Sequence, residues 1–187
     1  MVAYATADLH FSHANIMKYC NRDFKNTDRM DKHIIQTWNS VVQNDHDLVY
    51  VLGDFTMRGR DNKAWFAKTL RKLRGNKILI LGNHDKLHPF QYIDAGFQSV
   101  HTSLICDGIF MAHDPAWALA MPEEYCDMMI CGHVHDLFKL APGPRKVLNV
   151  GVDVWDYRPV KWSTIKEYSK EEAVEGEAET NLVSPEG

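Results

Sequence analysis

Short apolar runs alternate with amphipathic stretches along the first half of the chain. Val2 to Ala7, Leu48 to Leu52 and Ile78 to Leu81 are runs of four to six residues dominated by Val, Ile, Leu and Ala. Continuous apolar runs of that length suit strands buried on both faces. Between the first two, Met30, Ile34, Ile35, Trp38 and Val41 recur at helical spacing behind a cap at Thr27. Between the second and third, Ala64, Trp65, Ala67, Leu70 and Leu73 do the same, with Asp61 as cap and Gly75 as stop. Strand, helix, strand, helix, strand is an α/β pattern. The rest of the chain is richer in strands and turns: runs at Ile109 to Ala112, Met128 to Cys131, Val147 to Val150 and Lys161 to Ile165 predict four more strands. Pro142-Gly143-Pro144 reads as a loop between two of them.

Composition bounds the class. The 187 residues are 45% hydrophobic and 25% charged, which fits one globular domain and excludes collagen-like and wholly disordered chains. No apolar run reaches the ~18–20 residues of a membrane span. The N-terminus has no basic stretch followed by an apolar core, so no signal peptide is expected. Cys20, Cys106, Cys126 and Cys131 form no Cys-x-x-Cys pair and read as reduced thiols of a cytoplasmic protein. Charge is uneven. Residues 169–187 hold one Lys and six Glu, while residues 1–168 hold 20 basic and 19 acidic groups. The expected organisation is a domain over 1–168 and an acidic, flexible tail over 169–187. The near-neutral body argues against a grip on duplex nucleic acid.

Ten histidines change the picture, because of where they fall. The first run ends in Asp8-Leu9-His10, the second in Gly53-Asp54, and the third in Gly82-Asn83-His84-Asp85. The run at 109–112 ends in His113-Asp114, and that at 128–131 in Gly132-His133-Val134-His135. One such strand end is an ordinary turn. Five on one predicted edge, the edge where open α/β sheets bind ligands, are not. The side chains are carboxylates, imidazoles and one amide, with no thiolate. That set suits Mn²⁺, Fe²⁺ or Zn²⁺ and argues against a cysteine-rich structural zinc site. Seven ligands exceed the needs of one tetrahedral ion and fit two ions sharing a carboxylate.

The ordered series Asp-x-His, Gly-Asp, Gly-Asn-His-Asp, lone His and Gly-His-x-His, spanning residues 8 to 135, resembles the calcineurin-like metallophosphoesterase superfamily. The stretch Asp8-Leu9-His10-Phe11-Ser12-His13-Ala14-Asn15-Ile16 further resembles its small single-domain bacterial and phage branch. The resemblance implies a four-layered αββα sandwich of two mixed sheets, with the metal site at the C-terminal strand edges. It implies that Asp8, His10 and His135 hold one divalent ion and Asn83, His113 and His133 the other, with Asp54 bridging. Manganese is the favoured metal. His84 is expected to act on the substrate as general acid, and a water bridging two dications to supply hydroxide as nucleophile. His13, Asn15 and Arg58 are candidate substrate contacts. Asn149, in a segment similar to the family's Asn-x-Gly, is a candidate support for a metal-bound histidine.

One position departs from the family's protein phosphatases. Their Gly-Asp-x-x-Asp-Arg-Gly reads Gly53-Asp54-Phe55-Thr56-Met57-Arg58-Gly59 here. Met57 replaces the acid that orients the catalytic histidine in that branch, and Asp85 is the candidate replacement. The expected activity is a phosphodiesterase on a small or nucleotide-type substrate. A phosphomonoesterase, a nuclease of the same superfamily, and a non-catalytic scaffold are the alternatives. The intact His84 and ligand series weigh against the last.

Overall fold

A computed structural model describes residues 1–57, 62–142 and 145–170. Nine strands form two sheets. β1 (Ala3–Thr6), β2 (Leu48–Leu52), β3 (Asn76–Ile80), β4 (Ser99–His101) and β9 (Val160–Lys161) make the first, in the order β4-β3-β2-β1-β9. Its strands run parallel except for β9. β5 (Ser103–Cys106), β6 (Ile109–Ala112), β7 (Met128–Cys131) and β8 (Val147–Asn149) make the second, in sequence order, with only β5 antiparallel.

Side-chain alternation along each strand sorts the core into layers. Tyr4, Val49, Val51 and Leu79 face α2 (Thr27–Val41), α3 (Lys63–Leu70) and α4 (Pro89–Ala95), where Met30, Ile34, Trp38, Phe66, Leu70 and Tyr92 bury their apolar faces. Ala5, Ala7, Tyr50, Leu52 and Ile80 point the other way and pack on Ile109, Met111, Met128, Ile130 and Leu148 of the second sheet. Among the described residues, the outer face of that sheet, with Phe110, Ala112, Met129 and Cys131, is covered by the four-residue α5 (Trp117–Ala120) and nearby loops. The sheets are thus joined face to face by an apolar layer.

Most of the expected elements are present, with shifts that have local causes. α2 begins at Thr27, but its cap is Asn26, whose side chain accepts from the Arg29 N–H at 3.0 Å. α3 is capped by Asn62, which accepts from Trp65 N–H at 2.9 Å; Asp61 lies outside the described residues. The strand expected at 161–165 is corrected: only Val160–Lys161 pairs, and α6 (Trp162–Lys170) follows. Trp162, Ile165 and Tyr168 sit one helical turn apart and pack into the layer between the sheets. Trp162 Nε1–H also donates to Asp107 at 3.1 Å, just before β6, so α6 closes the sandwich at the end away from the strand C-termini. α6 takes in Ser169 and Lys170, and the acidic segment from 171 lies outside the described residues, as do Gly143 and Pro144 of the expected loop.

β4, β5, α1 (Ile16–Tyr19), α4 and α5 had no counterpart in the pattern. Each is short, and β4 and β5 are half-exposed edge strands. Neither case produces a continuous apolar run.

Candidate metal centre

Five parallel strands from two sheets deliver their C-terminal ends to one edge. β1 leads to Asp8 and His10, β2 to Asp54, β3 to Asn83 and His84, β6 to His113, and β7 to His133 and His135. The chain turns sharply there. Asp8, His10, Asp54, His133 and His135 all have left-handed backbone, with φ of 57°, 48°, 54°, 72° and 49°. Non-glycine residues reach that region at a cost of about 1 kcal/mol each. Backbone hydrogen bonds hold it: Asp8 N–H donates to Gly53 C=O (3.2 Å), His10 N–H to Asp54 C=O (2.9 Å), and Gly132 N–H to His113 C=O (3.0 Å). Close packing excludes a Cβ at several glycines here, Gly53 and Gly132 among them. A Cβ on Gly53, whose own φ is +80°, would lie 2.6 Å from Gly82 Cα and His113 Nδ1. A Cβ on Gly132 would lie 2.7 Å from Asp8 Oδ2.

Asp54 is the hub. Its Oδ2 lies 3.5 Å from His10 Nε2, 3.4 Å from His113 Nε2 and 3.9 Å from His84 Nε2. Its Oδ1 accepts from the His84 backbone N–H at 3.0 Å. To one side, Asp8, His10 and His135 each place a ligand atom within 4.8 Å of the others; Asp8, Asp54 and His113 do the same. To the other side, Asn83 Oδ1 lies 2.9 Å from His113 Nε2 and 3.3 Å from His133 Nδ1. The seven expected ligands therefore form one continuous cluster. His113 Nδ1–H donates to Leu52 C=O at 2.7 Å, which turns Nε2 toward the centre.

His10 tests whether the cluster suits an ion. It is 1% exposed, and neither ring nitrogen has a hydrogen-bond partner. Buried polar atoms are rarely left so. With Asp8 and Asp54 beside it and no thiolate among the seven, the donor set fits divalent ions that take nitrogen and oxygen.

The electrostatics show the same strain. Burial raises Asp8 to about 6 despite His113 and His135. Burial opposes ionisation of Asp54, but His113 and His10 hold it well below the ordinary carboxylate range. Burial likewise opposes charge on His113, yet Asp54 outweighs it and raises the ring to about 9. His135 is raised too, with Asp153, Cys20 and Asp8 overcoming burial. His10, more deeply desolvated, is pushed far down. The buried carboxylates thus favour the protonated forms of His113 and His135.

The other expected site residues fall as follows. His84 lies beside Asp54 with its side chain 24% exposed. The His13 ring centroid is 5.5 Å from that of His10. Asn15 is exposed at the start of α1 and makes no side-chain capping bond. Arg58 lies outside the described residues, and Met57 is exposed. Asp85 is buried, and its carboxylate accepts from the backbone N–H groups of Asp54 (2.8 Å), Gly82 (3.0 Å) and Phe55 (3.4 Å). That holds the Asp54 loop against the β3 loop. Asn149 clasps the His135 backbone: its Nδ2 donates to His135 C=O at 2.7 Å and its Oδ1 accepts from Gly151 N–H. Trp155 is tied down beneath, donating to Asn149 C=O at 2.7 Å under the Lys139 ammonium.

The sequence pattern missed two residues. Arg22 and Asp153, 131 positions apart, form a buried ion pair at 2.7 Å, and Asp153 Oδ2 lies 3.3 Å from His135 Nδ1. Neither stands at a strand end or in a ligand spacing, so no local signal marked them. A cleft of about 270 Å³ opens beside Asn83, His113 and His133, walled by Leu81, Asp114 and Trp117.

The family model for calcineurin-like phosphoesterases matches residues 1–110. The uncharacterized protein MJ1445 of Methanocaldococcus jannaschii is 36% identical over 171 residues, covering 87% of this chain and 88% of that protein. The gene 66 protein of Mycobacterium phage L5 is 34% identical over 183 residues, covering 80% and 86%. Among solved structures, the protein of unknown function AQ665 from Aquifex aeolicus aligns with a TM-score of 0.65 at 26% identity, over 89% of this chain and 98% of that one. The Pseudomonas putida nuclease MPE shares the fold with a TM-score of 0.52 at 17% identity, over 79% and 74%. The chain belongs to the calcineurin-like phosphoesterase family. The matched residues end before His113, His133 and His135; the fold brings His113 and His135 back to Asp8, His10 and Asp54, and His133 to Asn83. Among the described residues, no helix is long and apolar enough to cross a membrane.

Proposed function

We propose that this protein hydrolyses phosphoesters, most readily small phosphodiesters, with two divalent ions and manganese as the favoured metal. Asp8, His10 and His135 would hold one ion and Asn83, His113 and His133 the other, with Asp54 shared. The observation that carries this reading is the position of Asp54 Oδ2, 3.5 Å from His10 Nε2 and 3.4 Å from His113 Nε2. When bound, two such ions supply a water-derived nucleophile at neutral pH and neutralise charge on the phosphoryl oxygens.

The chain's own residues supply the rest. Of the imidazoles around Asp54 Oδ2, His84 has the most exposed side chain and can donate a proton to the leaving oxygen. Its backbone N–H fixes it to Asp54, so proton donor and shared carboxylate move as one unit. Asp85 holds that unit through three backbone amides. The cleft beside Asn83 and His133 has the size for one ring, and Trp117, 47% exposed, offers a face for it to stack on. A phosphodiester with one planar substituent fits that shape.

The test is paired hydrolysis. The protein is stripped with chelator, reloaded with Mn²⁺, and given a nitrophenyl diester and a nitrophenyl monoester, with His84→Ala as control. Diester turnover that needs both metal and His84 supports the reading. A monoester preference makes the protein a phosphomonoesterase, and turnover of neither ester with two ions bound refutes a generic open site.

A further inference from the structure

Arg22 and Asp153 belong to no ligand set, yet both side chains are sealed from solvent, 0% and 3% exposed. The contact is bidentate: Arg22 Nε donates to Asp153 Oδ1 at 2.7 Å and Nη2 to Oδ2 at 2.8 Å. The remaining N–H groups do not go to waste. Nη2 also donates to Asp8 C=O at 2.8 Å, and Nη1 to Leu9 C=O at 3.2 Å. On the far side, Asp153 Oδ2 lies 3.3 Å from His135 Nδ1. One guanidinium therefore bonds the strained Asp8–His10 turn directly and His135 through a single carboxylate. Those three residues form the first metal-ligand group.

We propose that Arg22 and Asp153 are the positioning pair of the first metal site, fixing the tautomer of His135 and the left-handed turn that presents Asp8 and His10. The inference rests on the metal-centre reading above and deepens it. A carboxylate held by arginine can only accept, so Nδ1 of His135 keeps its hydrogen and Nε2 is the nitrogen left for an ion. The orientation is the same whether Nε2 carries a proton or a metal. A buried ion pair is a poor device for stability alone, because desolvation cancels most of its attraction. Here it satisfies two carbonyls of a left-handed turn that apolar side chains could not serve.

The second group is built differently. His113 Nδ1–H donates to the neutral Leu52 carbonyl, Asn83 is exposed and His133 is half-buried. Cys20 also lies within 4.8 Å of His135 and Asp153, but both Asp153 oxygens already accept from the guanidinium. A cation there would meet the Arg22 charge, so this trio supports the site and is not a third one. The two ions should accordingly be lost independently.

The experiment is Mn²⁺ titration by calorimetry, with bound metal counted after gel filtration, and circular dichroism in chelator to establish folding. The wild type should bind two ions. Asp153→Asn and Arg22→Gln should weaken one step by ~10–100-fold, as changes to residues behind a metal ligand do, and leave the other within about twofold. Asn83→Ala should weaken the opposite step, and Arg22→Lys should recover part of the loss. Should a single variant unfold, the double variant Arg22→Met/Asp153→Leu leaves no lone buried charge and must show the same selective loss. A folded variant that keeps both steps, or loses both equally, overturns the proposal. A wild type that binds no Mn²⁺ overturns the metal-centre reading itself.

Discussion

Asp85 Oδ2 accepts from the backbone N–H of Asp54 at 2.8 Å, so one buried aspartate positions another. The two carboxylates answer to opposite environments. Asp54 faces three imidazoles and is held ionised; Asp85, buried with the Asp54 charge nearby, is raised to about 6. Asp85→Ala would take the acceptor from the Asp54, Gly82 and Phe55 amides, the first two of them bonded at 3.0 Å or less. A loss of about 2–4 kcal/mol is expected, from one to two kcal/mol per orphaned buried amide. Denaturant unfolding of the metal-free protein checks it. Asp85→Asn, which keeps one acceptor oxygen, should lose less.

Metal binding is expected to release protons and to strengthen as pH rises. His113 titrates at about 9 in the metal-free chain and His135 is raised as well, so both carry protons at neutral pH that an ion must displace. Calorimetry in two buffers of different ionisation enthalpy should show heats that depend on the buffer. Buffer-independent heats at pH 7 would contradict this charge assignment.

The metal-free protein should show the opposite trend in stability. A histidine whose folded pKa is raised stabilises the fold fully below its unfolded pKa, near 6.5, and that contribution fades as pH climbs through the folded value. For His113 the window runs from about 6.5 to about 9. Thermal melts in chelator should therefore move down between pH 7 and 9, while Mn²⁺-saturated melts should not. His113→Asn should flatten the metal-free trend.

His84 should separate turnover from metal content. His84→Ala is expected to retain two ions and lose ~10²–10⁴-fold in kcat on a poor leaving group, the range of a positioned proton donor. The loss should be smaller, though still measurable, on nitrophenolate, which departs with less help. A variant that loses its metals instead would make His84 a ligand.

Gly132→Ala is expected to disturb both fold and centre. The added methyl would sit 2.5 Å from Ala7 Cβ and 2.7 Å from Asp8 Oδ2. Overpacking of this kind costs about 1–3 kcal/mol. It should also weaken Mn²⁺ binding, because relieving the contact displaces the Ala7–Asp8 segment. Equal affinity in variant and wild type would show that the Asp8 turn yields freely.

Much of the site was legible in the sequence because its ligands follow apolar runs. A buried parallel strand is a continuous hydrophobic signal, and the residue after it is fixed in space by the sheet. Asp8, Asp54, Asn83, His113 and His133 could be placed on one edge for that reason. The convergence of the two sheets was carried by resemblance, and the layer of Ala5, Leu52, Met111 and Ile130 accounts for it physically. Arg22 and Asp153 were invisible because their pairing depends on a contact across 131 residues. Trp162 and Ile165 were misassigned because a short run of mixed spacing fits strand and helix alike, and the helix became plain only from the face it buries.

Two ions are expected to share Asp54. Diffraction from Mn²⁺-soaked crystals at the manganese absorption edge tests it most directly. Two anomalous peaks about 3.5–4 Å apart, with Asp54 between them, are expected. Asp8, His10 and His135 should contact one peak, and Asn83, His113 and His133 the other. A single peak at full Mn²⁺ saturation, or two peaks with Asp54 touching neither, would contradict the account.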